Sequence, residues 1–172
     1  AIPRTEVVST NTATSETKFK GITEAVYSVA DGQAVSITEV KDPVFAQKMM
    51  GDGYAVEPVN GNVYAPVSGT VTSVFPTKHA VGILSDQGVE VLVHVGLDTV
   101  ALNGAPFSTK VADGQHVQAG DLLLVADLDA IRSADRETTI VVAFTNSAEI
   151  KSVSLVNLRQ VSKDSQVAIV EL

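Results

Sequence analysis

Three histidines, His79, His94 and His116, carry most of the chemistry this sequence can offer. The chain has no cysteine, which removes thiolate catalysis, disulfides and cysteine-ligated zinc. It has no GxxxxGK[ST] phosphate loop, no HExxH and no nucleophile elbow. Gly51-Asp52-Gly53 is a turn without the lysine that cradles phosphate. The 20 carboxylates are scattered, and no pair stands out by its spacing.

His94 lies in Val89-Glu90-Val91-Leu92-Val93-His94-Val95-Gly96-Leu97-Asp98-Thr99. A strand alternates its faces, so Val89, Val91, Val93 and Val95 share the side that faces a core. His94 then projects from the other side with Glu90 and Leu92, near the strand's end. A histidine there suits a structural hydrogen bond or a reactive group, and the strand pattern leaves both open. His79 follows a turn in Phe75-Pro76-Thr77-Lys78-His79-Ala80, with a hydroxyl two residues earlier. Taken alone, it reads as a surface histidine. His116, in the polar hairpin Asp113-Gly114-Gln115-His116, reads as structural or solvent-exposed.

Two histidines on adjacent strands suit two kinds of chemistry. As metal ligands, His79 and His94 supply two nitrogens, short of the three or four protein ligands zinc usually has. Water or a partner's carboxylate would have to complete such a site. As a phosphoryl carrier, one imidazole must be neutral, with its other nitrogen held by an acceptor that fixes the tautomer. The second imidazole can donate a hydrogen bond to the phosphoryl oxygens. No metal is needed for that task.

The elements that would position these residues are mostly strands. Valine-rich segments punctuated by glycine predict strands at Glu24–Val29, Gln33–Ile37, Tyr54–Pro58, Asn62–Ala65, Gly69–Phe75, Ala80–Ser85, Glu90–Val95, Asp121–Ala126, Thr139–Phe144 and Val167–Glu171. With turns such as Asp31-Gly32, Asn60-Gly61 and Asp113-Gly114, the pattern predicts an all-β sandwich or barrel. One helix is expected between Asp42, a suitable cap, and Gly51, with Pro43 in its first turn. Phe45 and Met49, four residues apart on it, would either enter the core or form an exposed apolar surface. Tyr27–Val35 parallels Tyr64–Val71, an internal repeat, and Val111–Leu123 adds a V-x-x-G-x-x-V-x-x-G-D hairpin.

Composition bounds the partners. Twelve basic against 20 acidic residues give a net charge of −8, which disfavours nucleic acid. Basic or apolar docking faces suit an acidic protein better. No apolar run is long enough to insert in a membrane, and no secretory signal is visible. The absent initiator Met is expected of a processed form or a piece of a longer polypeptide. The absence of cysteine fits the cytoplasm. Residues 1–19, rich in Ser, Thr and Ala, are expected to be a disordered leader or interdomain linker, with one domain over 20–172.

Four blocks occur in order: Asp42–Gly53, Ala65–Val71, Thr77–Ala80 and Val91–Val100. Together with the Val111–Leu123 hairpin, they resemble the glucose-type IIA domains (EIIA type 1) of the bacterial phosphoenolpyruvate:sugar phosphotransferase system, over roughly residues 22–172. The resemblance implies an antiparallel β-sandwich or barrel of the barrel-sandwich hybrid kind, with one or two short helices. It implies that His94 accepts phosphate from the phosphohistidine of the small carrier HPr. His94 then passes it to a cysteine on the IIB domain of a sugar permease. His79 would stabilise the phosphoryl group with support from Thr77. The Gly96 carbonyl would orient the His94 ring, and Asp98 would flank the site. The family's apolar docking ring falls on Val44, Phe45, Met50, Phe75, Leu92 and Val100.

No cofactor is required by this resemblance, and a zinc ion at His79 and His94 with a partner's carboxylate stays open. Expected partners are HPr, IIB and transporters or metabolic enzymes it regulates, in the cytoplasm, either free or as the cytoplasmic domain of a membrane-bound permease. The chain departs from the family at Met49-Met50, at Val29–Gly32 and at Val95, where a phenylalanine is common. An alternative is a regulatory domain whose surface is switched by phosphorylation of His94. A biotinyl or lipoyl carrier needs a lysine at a hairpin tip, whereas Lys48 falls in the expected helix. A two-histidine metallopeptidase lacks its third ligand.

Overall fold

Valine, stiff at χ1 and well suited to a pleated half-buried surface, occurs in all but one of the described strands of the computed structural model. It describes residues 22–172. The expected leader, 1–19, lies outside the described residues. The strands are β1 (Thr23–Tyr27), β2 (Gly32–Ser36), β3 (Asp52–Pro58), β4 (Asn62–Tyr64), β5 (Gly69–Val74), β6 (Ala80–Ser85) and β7 (Glu90–Val95). They continue with β8 (Phe107–Thr109), β9 (His116–Val117), β10 (Leu122–Ala126), β11 (Ile140–Phe144), β12 (Ser152–Leu155), β13 (Gln160–Val161) and β14 (Gln166–Glu171). The helices α1 (Pro43–Ala46) and α2 (Leu128–Ser133) are short. The protein is thus all-β, as expected.

Among the described residues an eight-stranded sheet runs β13-β2-β3-β11-β7-β6-β5-β9, and two three-stranded sheets run β1-β14-β12 and β4-β10-β8. β11 sits between β3 and β7, and all five of its side chains are buried. Its alternation divides the interior. Ile140, Val142 and Phe144 join the main core. Val141 and Ala143 join a smaller cluster with Ile37, Phe45, Ala55 and Leu97 on the other face. The side chains Val89, Val91, Val93 and Val95 are buried as the alternation predicts, each contributing on the order of 1.5–3 kcal/mol as an upper bound.

The internal repeat has a structural counterpart. The Tyr27 amide donates to the Pro66 carbonyl at 2.9 Å, and the Tyr64 amide donates to the Val29 carbonyl at 2.8 Å. Tyr27 and Tyr64 are equivalent in the repeat, as are Val29 and Pro66, so the two copies exchange matching hydrogen bonds.

The helix expected over Asp42–Gly51 is corrected. Asp42 does cap it, accepting from the Val44 amide at 2.9 Å, but the helix ends at Ala46. Lys48 takes a left-handed conformation (φ 61°) and pairs with Asp52 at 3.5 Å. It is therefore in a turn rather than a helix. This reversal separates the apolar pair: Phe45 is 6% exposed and Met49 is 69% exposed. Phe45 thus enters the core, and Met49 stays on the surface.

Candidate functional site

β6 begins at Ala80 and β7 ends at Val95, and the two strands are antiparallel with Ala80 opposite His94. The start of one and the end of the other therefore coincide, which brings His79, one residue before β6, beside His94. The Val95 amide donates to the His79 carbonyl at 2.7 Å and ties the two strand ends together. On the other flank Val141 of β11 stands opposite His94. The pair thus stands at the ends of two interior strands of the large sheet.

The two imidazoles meet edge to face, with centroids 4.8 Å apart and planes at 82°. The Nδ1 atom of His94 lies 2.8 Å from the Gly96 carbonyl oxygen. That carbonyl only accepts, so Nδ1 carries the proton and Nε2 holds the free lone pair. The Nδ1 atom of His79 lies 2.6 Å from Thr77 Oγ1. When that hydroxyl donates to Nδ1, the His79 proton resides on Nε2. One ring then offers a nucleophilic lone pair and the other an N–H donor.

Aromatic rings support both. Phe45 stands edge-on to His94 at 5.0 Å, and Phe75 stands edge-on to His79 at 5.6 Å. His79 is 5% exposed, which corrects its expectation as a surface residue. The Phe75 ring, four residues earlier, and the His94 ring, from the neighbouring strand, pack against it. His94 is half-buried.

Burial pushes the His94 imidazole down to about 4, and the neighbouring His79 adds to this. The Gly96 carbonyl and the Asp42 carboxylate pull the other way with less force. Burial likewise lowers His79 from its ordinary value. Both rings are therefore neutral at pH 7, the state nucleophilic attack requires.

Gly96 is constrained by its surroundings. Its φ is +79°, and a side chain there would overlap the Thr99 methyl group and stand 3.0 Å from the Glu137 carbonyl. Its amide donates to Thr139 at 2.8 Å, and Thr99 Oγ1 donates to the Val95 carbonyl at 2.5 Å. Asp98 is also left-handed (φ 58°), and its carboxylate pairs with Arg136 at 3.3 Å. The carboxylate that bears on His94 is that of Asp42, which sequence reasoning placed only as a helix cap. Arg136 had no sequence signal at all.

Val44, Met50, Phe75 and Val100 are exposed apolar side chains, and the Phe75 ring stands against His79. Leu92 is half-buried. Phe45, the remaining member of the expected ring, lies beneath this surface against His94. An open groove of about 440 Å³ continues from Phe75 and Met50 past Thr72, Gly82, Leu84 and Leu92. The third histidine, His116, is exposed at the start of β9 and pairs with Asp86 at 3.0 Å, apart from the site. Among the described residues no three His, Asp or Glu side chains stand close enough to hold a metal ion. Among them, too, no helix is long and apolar enough to cross a membrane.

Comparison with known proteins converges on one family. The sequence model of "phosphoenolpyruvate-dependent sugar phosphotransferase system, EIIA 1" matches residues 24–150. A Streptococcus pneumoniae protein described as "PTS system glucose-specific EIICBA component" is 65% identical over 154 residues, which are 90% of this chain and 21% of that protein. The chain therefore spans about a fifth of the length of that relative. Among solved structures, glucose permease IIA from Mycoplasma capricolum superposes with a TM-score of 0.78 at 38% identity, covering 86% of this chain and 96% of that one.

Proposed function

Because the chain belongs to the EIIA 1 family of the phosphoenolpyruvate-dependent sugar phosphotransferase system, we propose that it carries phosphoryl groups on Nε2 of His94. The observation that carries this is the 2.8 Å bond from His94 Nδ1–H to the Gly96 carbonyl. It leaves Nε2 unprotonated beside a second, donating imidazole.

In the first transfer, a phosphohistidine of HPr loses its N–P bond while Nε2–P forms on His94, and the leaving ring keeps the electron pair. The His94 ring gains positive character, and its Nδ1–H keeps donating to the Gly96 carbonyl, which stabilises that charge. His79 Nε2–H donates to the phosphoryl oxygens, held in that tautomer by Thr77. In the second transfer, a cysteine thiolate of a IIB domain forms S–P as Nε2–P breaks. Val44, Met50, Phe75, Leu92 and Val100 supply an apolar surface on which both partners dock. The exclusion of water there protects the labile phosphoramidate.

The finer assignments follow the same reading. The domain occupies residues 20–172, with 1–19 as its leader or linker, in the cytoplasm or on the cytoplasmic side of a permease. Glucose is the first sugar to test, given the name of the relative at 65% identity. Transporters or metabolic enzymes that dock on the same face would be regulated by phosphorylation of His94. A zinc ion on the two histidines would need a carboxylate from such a partner, since two nitrogens do not complete a zinc site.

The test is intact-mass measurement after incubation with phosphoenolpyruvate, enzyme I and HPr. One added, acid-labile phosphoryl group is expected on the wild type, none on His94→Ala and one on His79→Ala. No added mass on the wild type, or full labelling of His94→Ala, overturns the proposal.

A further inference from the structure

The Gly96 carbonyl orients His94 only as well as its own turn is held, and that turn is held by the segment leading from α2 into β11, the strand beside β7. The Gly96 and Leu97 amides donate to the carbonyls of Thr139 and Glu137 at 2.8 and 3.0 Å. Asp98 follows in a left-handed conformation as the N-cap of the 3-10 turn Thr99–Leu102, and its own side chain makes no capping bond there. A side chain from beyond α2 reaches it instead. Arg136 Nε donates to the Asp98 carbonyl at 3.2 Å and lies 3.3 Å from its carboxylate.

Arg136 is itself anchored. Its amide donates to the Ile131 carbonyl at 3.1 Å, and its Nη1 donates to the Ala134 carbonyl at 2.9 Å. Both acceptors lie at the C-terminal end of α2, where carbonyls lack helical partners and favour a cation. The helix is seated in the core by Leu128 and Ile131. A planar guanidinium with donors on two sides can join these groups in a fixed geometry, as a lysine cannot.

We propose that Arg136 is a positioning residue for phosphoryl transfer: it splints the Gly96–Asp98 turn to α2, and so holds the carbonyl that fixes the tautomer of His94. This inference rests on His94 being the acceptor for its effect on rate, though not for its effect on the ring.

The experiment compares wild type, Arg136→Ala, Arg136→Gln and Arg132→Ala in the full chain. Arg132 lies on the exposed side of α2 and pairs with Asp129, so its loss removes the same charge without touching the turn. Long-range ¹H–¹⁵N spectra of the unmodified proteins read the His94 tautomer, and quench-flow with phospho-HPr reads the rate of uptake. Wild type and Arg132→Ala are expected to show Nδ1–H alone and equal rates. Arg136→Ala is expected to show mixed tautomers and a loss of rate of about tenfold, the scale expected when an orienting group is removed. Arg136→Gln should fall between them, and it carries the test if the alanine variant does not fold. Wild-type ring shifts and rate in Arg136→Ala, or an equal loss in Arg132→Ala, overturn the proposal. If even the wild type takes up no phosphoryl group, the acceptor assignment fails while the tautomer spectra still decide the role of Arg136.

Discussion

Replacing His94 with glutamine should change how the protein's stability responds to acid. The folded ring titrates at about 4, against an ordinary 6.5. Between these values the unfolded chain binds a proton that the folded protein refuses. Stability contributed by this group is therefore full above pH 6.5, is lost as pH falls towards 4, and is flat below that. The gap amounts to about 3 kcal/mol, and discounting for the part of the half-buried ring open to water leaves about 2 kcal/mol. Urea unfolding followed by circular dichroism at pH 7 and about pH 4.5 reads it. Titrating groups remote from His94 cancel in the difference between wild type and His94→Gln. The wild type should lose about 2 kcal/mol more than the variant on acidification. A differential loss below about 0.5 kcal/mol would refute the claim that burial keeps His94 neutral.

Thr77→Val keeps the shape of the side chain and removes its hydroxyl, freeing the His79 tautomer; transfer from His94 to a IIB cysteine should slow by about tenfold while labelling of His94 persists, as single-turnover kinetics would show. Gly96→Ala must hold φ +79° against the Thr99 methyl and the Glu137 carbonyl, and should cost about 2 kcal/mol in denaturant melts as well as slowing uptake. Glu24 is 8% exposed with one oxygen lacking a hydrogen-bond partner, and burial raises its pKa. Its stabilising protonated form is fully present below the ordinary value of 4.5 and is lost as pH rises through the raised one. Glu24→Gln should therefore gain about 1 kcal/mol at pH 7 and nothing at pH 4, and a variant no more stable at pH 7 would contradict this.

How much of this was legible in the sequence depended on how local each cause is. The face from which His94 projects could be read from four valines at alternate positions, because a strand's period is a local property. The hydroxyl two residues before His79 was visible too. The burial of His79 was not, since it is produced by rings that reach it from Phe75 and His94 after the sheet has formed. The helix after Asp42 was read too long because Lys48 turns left-handed with no glycine to announce it. Strands β8, β12 and β13, two to four residues long, were not read, and β9 was covered only by the Val111–Leu123 hairpin. In β12 half-buried and exposed positions alternate without a fully buried face. Arg136 was invisible because it acts on a turn 38 residues earlier in the chain. The family motifs pointed to the histidine pair, whereas the groups that hold it came from the tertiary structure.

The most direct test is to label the histidines with ¹⁵N, phosphorylate the protein through phosphoenolpyruvate, enzyme I and HPr, and record ³¹P-coupled ¹⁵N spectra. Phosphorus bonded to Nε2 of His94, with Nδ1 still protonated on the Gly96 carbonyl, is the predicted result. Phosphorus on Nδ1, on His79 or on His116 would contradict it.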